Sequence, residues 1–264
     1  MIESMTEIET SDGRMDTFVC HPEQGGPFPS VFVLMDIWGL REELFDIARK
    51  IAVVGYHCIV PNFWYRQGRV RFEHRDAKDR MLSFELIPDE TKLAMRRQMA
   101  MLTDEMAMED IKSALGFLRT QPVTDGPKGA IGYCLGGRYA LQMMALFPDD
   151  FRVAASMHGT RLVSDSPLSP HTLAPKCKGE IYCAFAEHDN FGAAPIRQAL
   201  LDAYSLCPNV NYHPALHQNS IHGYALPNRD IYEKRAADRD WEMMFAMFSR
   251  NLAASPAARA SART

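Results

Sequence analysis

The chain has 264 residues, of which 47% are hydrophobic and 23% charged, and a formal net charge of −4. That composition belongs to a globular protein long enough to bury a full core as one α/β domain. The acidic balance leaves no basic footprint for nucleic acid, and no apolar run reaches the ~18 residues a membrane-spanning helix needs.

The first residues, MIESMTEIETSDGR, are acidic and polar and lack the basic-then-apolar order of a secretory signal, so a cytoplasmic location is expected. MDTFVCHP, residues 15–22, has the pattern of an extra edge strand. Five apolar runs then read as strands: 29–36, 56–63, 128–134, 152–159 and 179–189, with a further strand candidate at 209–216. Several are apolar on both faces, as strands of a parallel sheet must be when helices cover both sides. Helix-spaced apolar residues occupy 41–55, a long stretch from about 91 to 119, 134–147 and roughly 230–252. The alternation predicts a mostly parallel, doubly wound α/β sheet with helices on both faces. The charged, methionine-rich segment 66–108 reads as helical decoration beside the sheet. No linker divides residues 1–253, and the small, polar residues 254–264 read as a disordered tail.

Six cysteines stand at 20, 58, 134, 177, 183 and 207, none in a C-x-x-C pair, so no metal site or redox motif is expected. Cys58 and Cys183 lie inside apolar runs and read as packing residues. Cys134 differs. It sits in Gly132-Tyr133-Cys134-Leu135-Gly136-Gly137, between a strand and a helix, with the G-x-nucleophile-x-G spacing of a nucleophile elbow. The glycines are needed because a Cβ would collide with the neighbouring strand or helix. The turn projects the thiol at a helix N-terminus, where the dipole and free N–H groups favour a thiolate. The N–H of Leu135 points to where an oxyanion would form.

A nucleophilic thiol needs a base, and the base needs a group to orient it. Downstream, Asp189 ends a strand and His222 follows the last strand candidate, the nucleophile–acid–histidine order of α/β-hydrolases. Each alone has an ordinary explanation as a turn or surface residue; the order of all three points to hydrolysis. His158, His188, His213 and His217 compete for the role of base, and His158 is placed to line the pocket.

Four stretches, LMDIWGL, IGYCLGGRYAL, AEHDNFGAAPIRQAL and IHGYA, give the chain a resemblance to the dienelactone hydrolase family from about residue 11 to 252. The resemblance implies the α/β-hydrolase fold, with Cys134 as nucleophile, Asp189 as acid and His222 as base. It implies Ile37 as the second oxyanion donor. A family glutamate that gates the resting thiol is replaced by Asp36, one C–C bond shorter, and a carboxylate there is expected to face the sulfur. A substrate-binding arginine four residues after the histidine is replaced by Leu226, with Arg229 nearest. Its partner among Arg80, Lys92, Arg96 and Arg97 is not settled by alignment. Trp38, Phe63, Trp64 and Tyr224 suggest a more aromatic pocket.

The expected activity is hydrolysis of an ester or lactone through a cysteine acyl-enzyme, without metal or organic cofactor. The expected partners are a small-molecule substrate and at most further copies of the chain. Two alternatives stand beside it: a general short-chain carboxylesterase or thioesterase, and a non-catalytic ligand-binding protein on a hydrolase fold.

Overall fold

The structure is a computed structural model that describes residues 1–68 and 70–252. The eight strands are β1 (Ile2–Thr10), β2 (Gly13–His21), β3 (Ser30–Leu34), β4 (His57–Pro61), β5 (Lys128–Tyr133), β6 (Phe151–Met157), β7 (Gly179–His188) and β8 (Val210–Ile221). They form one sheet in the order β1-β2-β4-β3-β5-β6-β7-β8. β1 and β2 are a hairpin joined antiparallel to β4, and every other pairing is parallel. β3 and β4 are buried at every residue, which fits the doubly apolar runs seen in the sequence.

The helices are α1 (Glu42–Ala52), α2 (Asp89–Ala100), α3 (Asp104–Arg119), α4 (Leu135–Leu146), α5 (Pro170–Leu173), α6 (Ala194–Ser205) and α7 (Lys234–Asn251). This is the α/β-hydrolase architecture expected from the alternating pattern.

Four elements differ from the sequence reading. MDTFVCHP is not the edge: β1 lies outside it and is paired along its whole length, Ile2 opposite His21 through Thr10 opposite Gly13. The long helical stretch is two helices, because Thr103 caps α3 by accepting the Met106 N–H at 3.2 Å. α6 carries no core-facing stripe strong enough to read from sequence; only Leu200 and Tyr204 are buried in it. Within the described residues, the expected helical decoration before α2 is a largely irregular crossing with 3₁₀ turns at Tyr65–Gln67 and Phe84–Leu86. The expected tail at 254–264 lies outside the described residues.

The crossing is fastened at both ends. At its start, Arg66 forks onto the buried Asp110 of α3, with both N–H···O distances 2.8 Å, and reaches Asp12 of the hairpin turn at 2.7 Å. Further on, the Met81 N–H donates to the Asn228 carbonyl (2.7 Å) and the Met81 carbonyl accepts from Asp230 (2.9 Å). At the sheet's outer side, Arg49 of α1 holds Glu3 of β1 at 2.7 Å and also binds Glu42 and Asp46.

The Asp110 side chain is wholly buried, so Arg66 is its counter-ion rather than an ornament. Arg66→Ala should lower stability by about 3 kcal/mol in urea unfolding. The double change Arg66→Met with Asp110→Leu should recover most of that loss, since no lone buried charge remains.

Candidate active site

β5 ends at Tyr133 and α4 begins at Leu135, so Cys134 alone makes the turn, at φ 55° and ψ −114°. Side chains avoid this region, and the local packing explains why one is held there. The Cys134 N–H donates to the Met157 carbonyl (3.0 Å), and its carbonyl accepts from Gly137 and Thr160 (both 3.1 Å). A Cβ on Gly132 would fall on the Gly136 carbonyl. One on Gly136 would lie 2.6 Å from the Met35 carbonyl oxygen. Only glycine permits this approach of helix to strands. Cys134 is half-buried, whereas Cys20, Cys58, Cys177, Cys183 and Cys207 are all buried. Leu135 opens α4, so its N–H has no acceptor within the helix.

Asp189 directly follows β7 and His222 directly follows β8, which places both at the sheet edge where Cys134 emerges. Asp189 Oδ2 and His222 Nδ1 are 2.7 Å apart, while Asp189 Oδ1 accepts the Phe191 N–H at 2.9 Å. With Nδ1 taken, Nε2 is the ring nitrogen left to face Cys134, whose charge acts on the ring. Burial alone would lower the His222 pKa. The neighbouring Cys134 and the Asp189 hydrogen bond outweigh it and push the ring up to about 10.

The His222 ring is clasped between two others. His158 meets it edge-on from inside, centroids 4.9 Å apart, and Phe191 lies outside at 5.4 Å. His158 is fully buried, and neither ring nitrogen has a partner among the described residues. Burial, then the nearby positive charges of His222 and Arg229, hold its pKa well down, so His158 stays neutral beside a charged His222. The other histidines are engaged elsewhere: His213 with Glu180 (2.8 Å), His217 with Asp240 (2.6 Å), and the exposed His188 3.7 Å from Glu187.

Tyr224 and Trp64, expected to line the pocket, are completely buried. The Tyr224 hydroxyl donates to Asp240 at 2.7 Å, and Asp240 also receives Tyr182 and His217, both at 2.6 Å. Tyr224 therefore ties the His222 loop to α7 and has no hydroxyl left to offer a substrate. Trp64 packs in the main core, with Nε1 unpartnered among the described residues. Trp38 is buried in a smaller cluster with Met81 and Ile87 of the crossing and Met95 of α2.

Asp36 takes a different pose from the one expected. Its oxygens receive Arg41 bidentately at 2.7 and 3.0 Å, and Oδ1 also accepts the Trp38 N–H at 3.0 Å. Arg41 in turn binds Glu43 at 2.7 Å, whose other oxygen accepts the Asn228 N–H at 2.7 Å. Burial opposes the Arg41 charge, but Asp36 and Glu43 more than restore it. Both Asp36 oxygens are thus occupied by a buried arginine, and the carboxylate secures the turn carrying Ile37 rather than being left to hold a thiol. The helix pattern over 41–55 does not single out Arg41 and Glu43; the turn at Gly39, φ 85°, is what folds Arg41 back onto Asp36. Arg229 lies over the Trp38 ring at 4.4 Å and 3.9 Å from Asp36. Of the basic residues considered in the crossing and α2, Arg80 pairs with Asp76, Lys92 with Asp89, and Arg96 lies over Phe84.

Arg41→Met should strand two buried carboxylates and cost about 3–5 kcal/mol. The measurement is urea unfolding at pH 7; a loss below about 1 kcal/mol would show that water replaces the guanidinium.

Comparison with known proteins places this geometry in context. The chain is 26% identical over 253 residues to a "Putative carboxymethylenebutenolidase" of Methylorubrum extorquens, spanning 92% of this chain and 79% of that protein. It is 22% identical over 241 residues to the carboxymethylenebutenolidase of Pseudomonas putida, spanning 90% and 92% of the two chains. Among solved structures, a "Putative Dienelactone Hydrolase" of Klebsiella pneumoniae superposes with a TM-score of 0.79 at 21% identity, covering 94% of this chain and 98% of that one, a likeness that shows the fold. The model of the dienelactone hydrolase family matches residues 15–252, nearly the whole chain, and the protein belongs to that family of hydrolases.

Proposed function

We propose that the protein hydrolyses uncharged esters or lactones through a thioester on Cys134. The observation that carries this reading is the His222–Asp189 pair at 2.7 Å, set after β7 and β8 at the same edge where the half-buried Cys134 leaves β5. The Cys134 sulfur attacks the carbonyl carbon, and the N–H groups of Leu135 and Ile37 receive the developing oxyanion. His222, charged while paired with the thiolate, gives its proton to the departing alkoxide. It then takes a proton from water, whose oxygen attacks the thioester; the acid leaves and the thiol is restored. Asp189 keeps the ring in one tautomer throughout. His158, neutral next to it, does not compete for the proton.

The preference for an uncharged substrate rests on what surrounds the acyl side. Leu226, where the resemblance implies an arginine, is apolar and fully buried. Arg229 is stacked on Trp38 and near Asp36, within a buried group of two acids and two arginines whose charges balance. A carboxylate-bearing lactone would have to disturb that balance. No helix among the described residues is long and apolar enough to cross a membrane, and no cluster of three metal-binding side chains occurs among them.

Cys134→Ala should reduce aryl-ester hydrolysis by at least ~10³-fold, while Cys58→Ala and Cys183→Ala should change thermal stability and leave kcat/KM within about twofold. Wild-type rates in the Cys134→Ala protein would rule the thioester out. The His222 pKa supplies a second check. Removing the sulfur anion withdraws a charge that favours the imidazolium, so in Cys134→Ser the ring should titrate well below 10 by NMR. In the wild type, kcat/KM should fall as pH rises through about 10, where the proton donor is lost.

A further inference from the structure

We propose that Phe191 is the binding surface for the leaving alcohol, and that it selects esters whose alcohol is aromatic or otherwise apolar. The inference rests on the hydrolytic reading of Cys134, Asp189 and His222 and assigns one half of the substrate to one wall of that site.

The proton donor dictates where the alcohol lies. A group that protonates the leaving oxygen must come within about 3 Å of it, so the alcohol half of the ester sits against His222, while the acyl half lies toward the oxyanion donors. Two sides of His222 are closed. Asp189 holds Nδ1, and His158 covers the inner edge, itself backed by Tyr224 with the His158 and Tyr224 centroids 5.6 Å apart. A third aromatic neighbour is Phe191, tilted 59° to the His222 ring. The inner rings are at most 1% exposed, whereas Phe191 is 47% exposed. Among the described residues, Phe191 is thus the ring against the proton donor that leaves its surface open to an alcohol.

The backbone that carries the ring is also held in place. The Phe191 N–H is bonded to Asp189, so the residue is tied to the one that orients the base. The next residue, Gly192, packs so closely that a Cβ there would lie 2.9 Å from the Phe185 ring, which denies the turn any shift inward. An apolar alcohol gains by covering a ring whose backbone is already held in position, and methanol has too little surface to do so.

Benzyl acetate and methyl acetate test this, because both form the same acetyl-enzyme and differ only in the alcohol. Phe191→Ala should lower kcat/KM for the benzyl ester about tenfold and for the methyl ester by less than about twofold, with Phe191→Leu between. Benzyl alcohol should inhibit the wild-type protein competitively at far lower concentration than methanol, a comparison that needs no variant. Equal losses on both esters would show that the ring only steadies Asp189 and would overturn the proposal. So would equal inhibition by the two alcohols. A Cys134→Ala protein that hydrolyses both esters at the wild-type rate would instead overturn Cys134 as the nucleophile, the reading on which this one rests.

Discussion

At the centre of the molecule an L-residue is held where L-residues are disfavoured. Cys134 takes a backbone conformation that costs on the order of 1–3 kcal/mol, and it persists because its surroundings leave no alternative. Its amide is tied to β6, its carbonyl receives two N–H groups, and α4 approaches β3 and β5 more closely than any side chain at Gly132 or Gly136 would permit. The same approach makes Leu135 the first residue of a helix with its amide unclaimed. Sulfur position, helix dipole and oxyanion donor are thus one arrangement, and a change to any of the flanking glycines would disturb all three together.

Around that point the protein separates two kinds of charge. In the proposed mechanism one is mobile: the proton exchanged between Cys134, His222 and the reacting oxygen, which the deeply buried His158 does not take up. The other is fixed: Asp36, Arg41, Glu43 and Arg229, interlocked beneath the oxyanion turn and linked to the backbone at Asn228. The fixed set gives the turn carrying Ile37 its shape. It also joins that turn to α1 and to the loop after His222, so both halves of the site share one rigid support.

Much of this was legible in the residues. Strands buried on both faces announce themselves as unbroken apolar runs, and the glycine spacing around Cys134 has few other physical explanations. Asp189 and His222 were found by their order and by their places after strands. β1 escaped because Ile8 is its one fully buried residue, leaving no alternation to detect. α6 escaped for the same reason. The pose of Asp36 was hidden for a different one: Arg41 lies five residues away, and only the turn through Gly39 brings the two together. Phe191 carried no signal at all, since an exposed phenylalanine acquires meaning only through what lies against it.

The arginines of α1's neighbourhood also divide the structure by its response to ionic strength. Arg49 and its three acidic partners stand in water, within reach of counter-ions whose screening length is about 10 Å at 0.1 M salt and about 3 Å at 1 M. Arg41 and its partners are sealed from solvent, their side chains no more than 3% exposed. Salt therefore loosens the tie between the N-terminal hairpin and the body of the protein while the turn beside Cys134 keeps its electrostatic frame. In concentrated brine the outer strand loses part of its electrostatic hold, while the buried group beside the Cys134 elbow is screened far less.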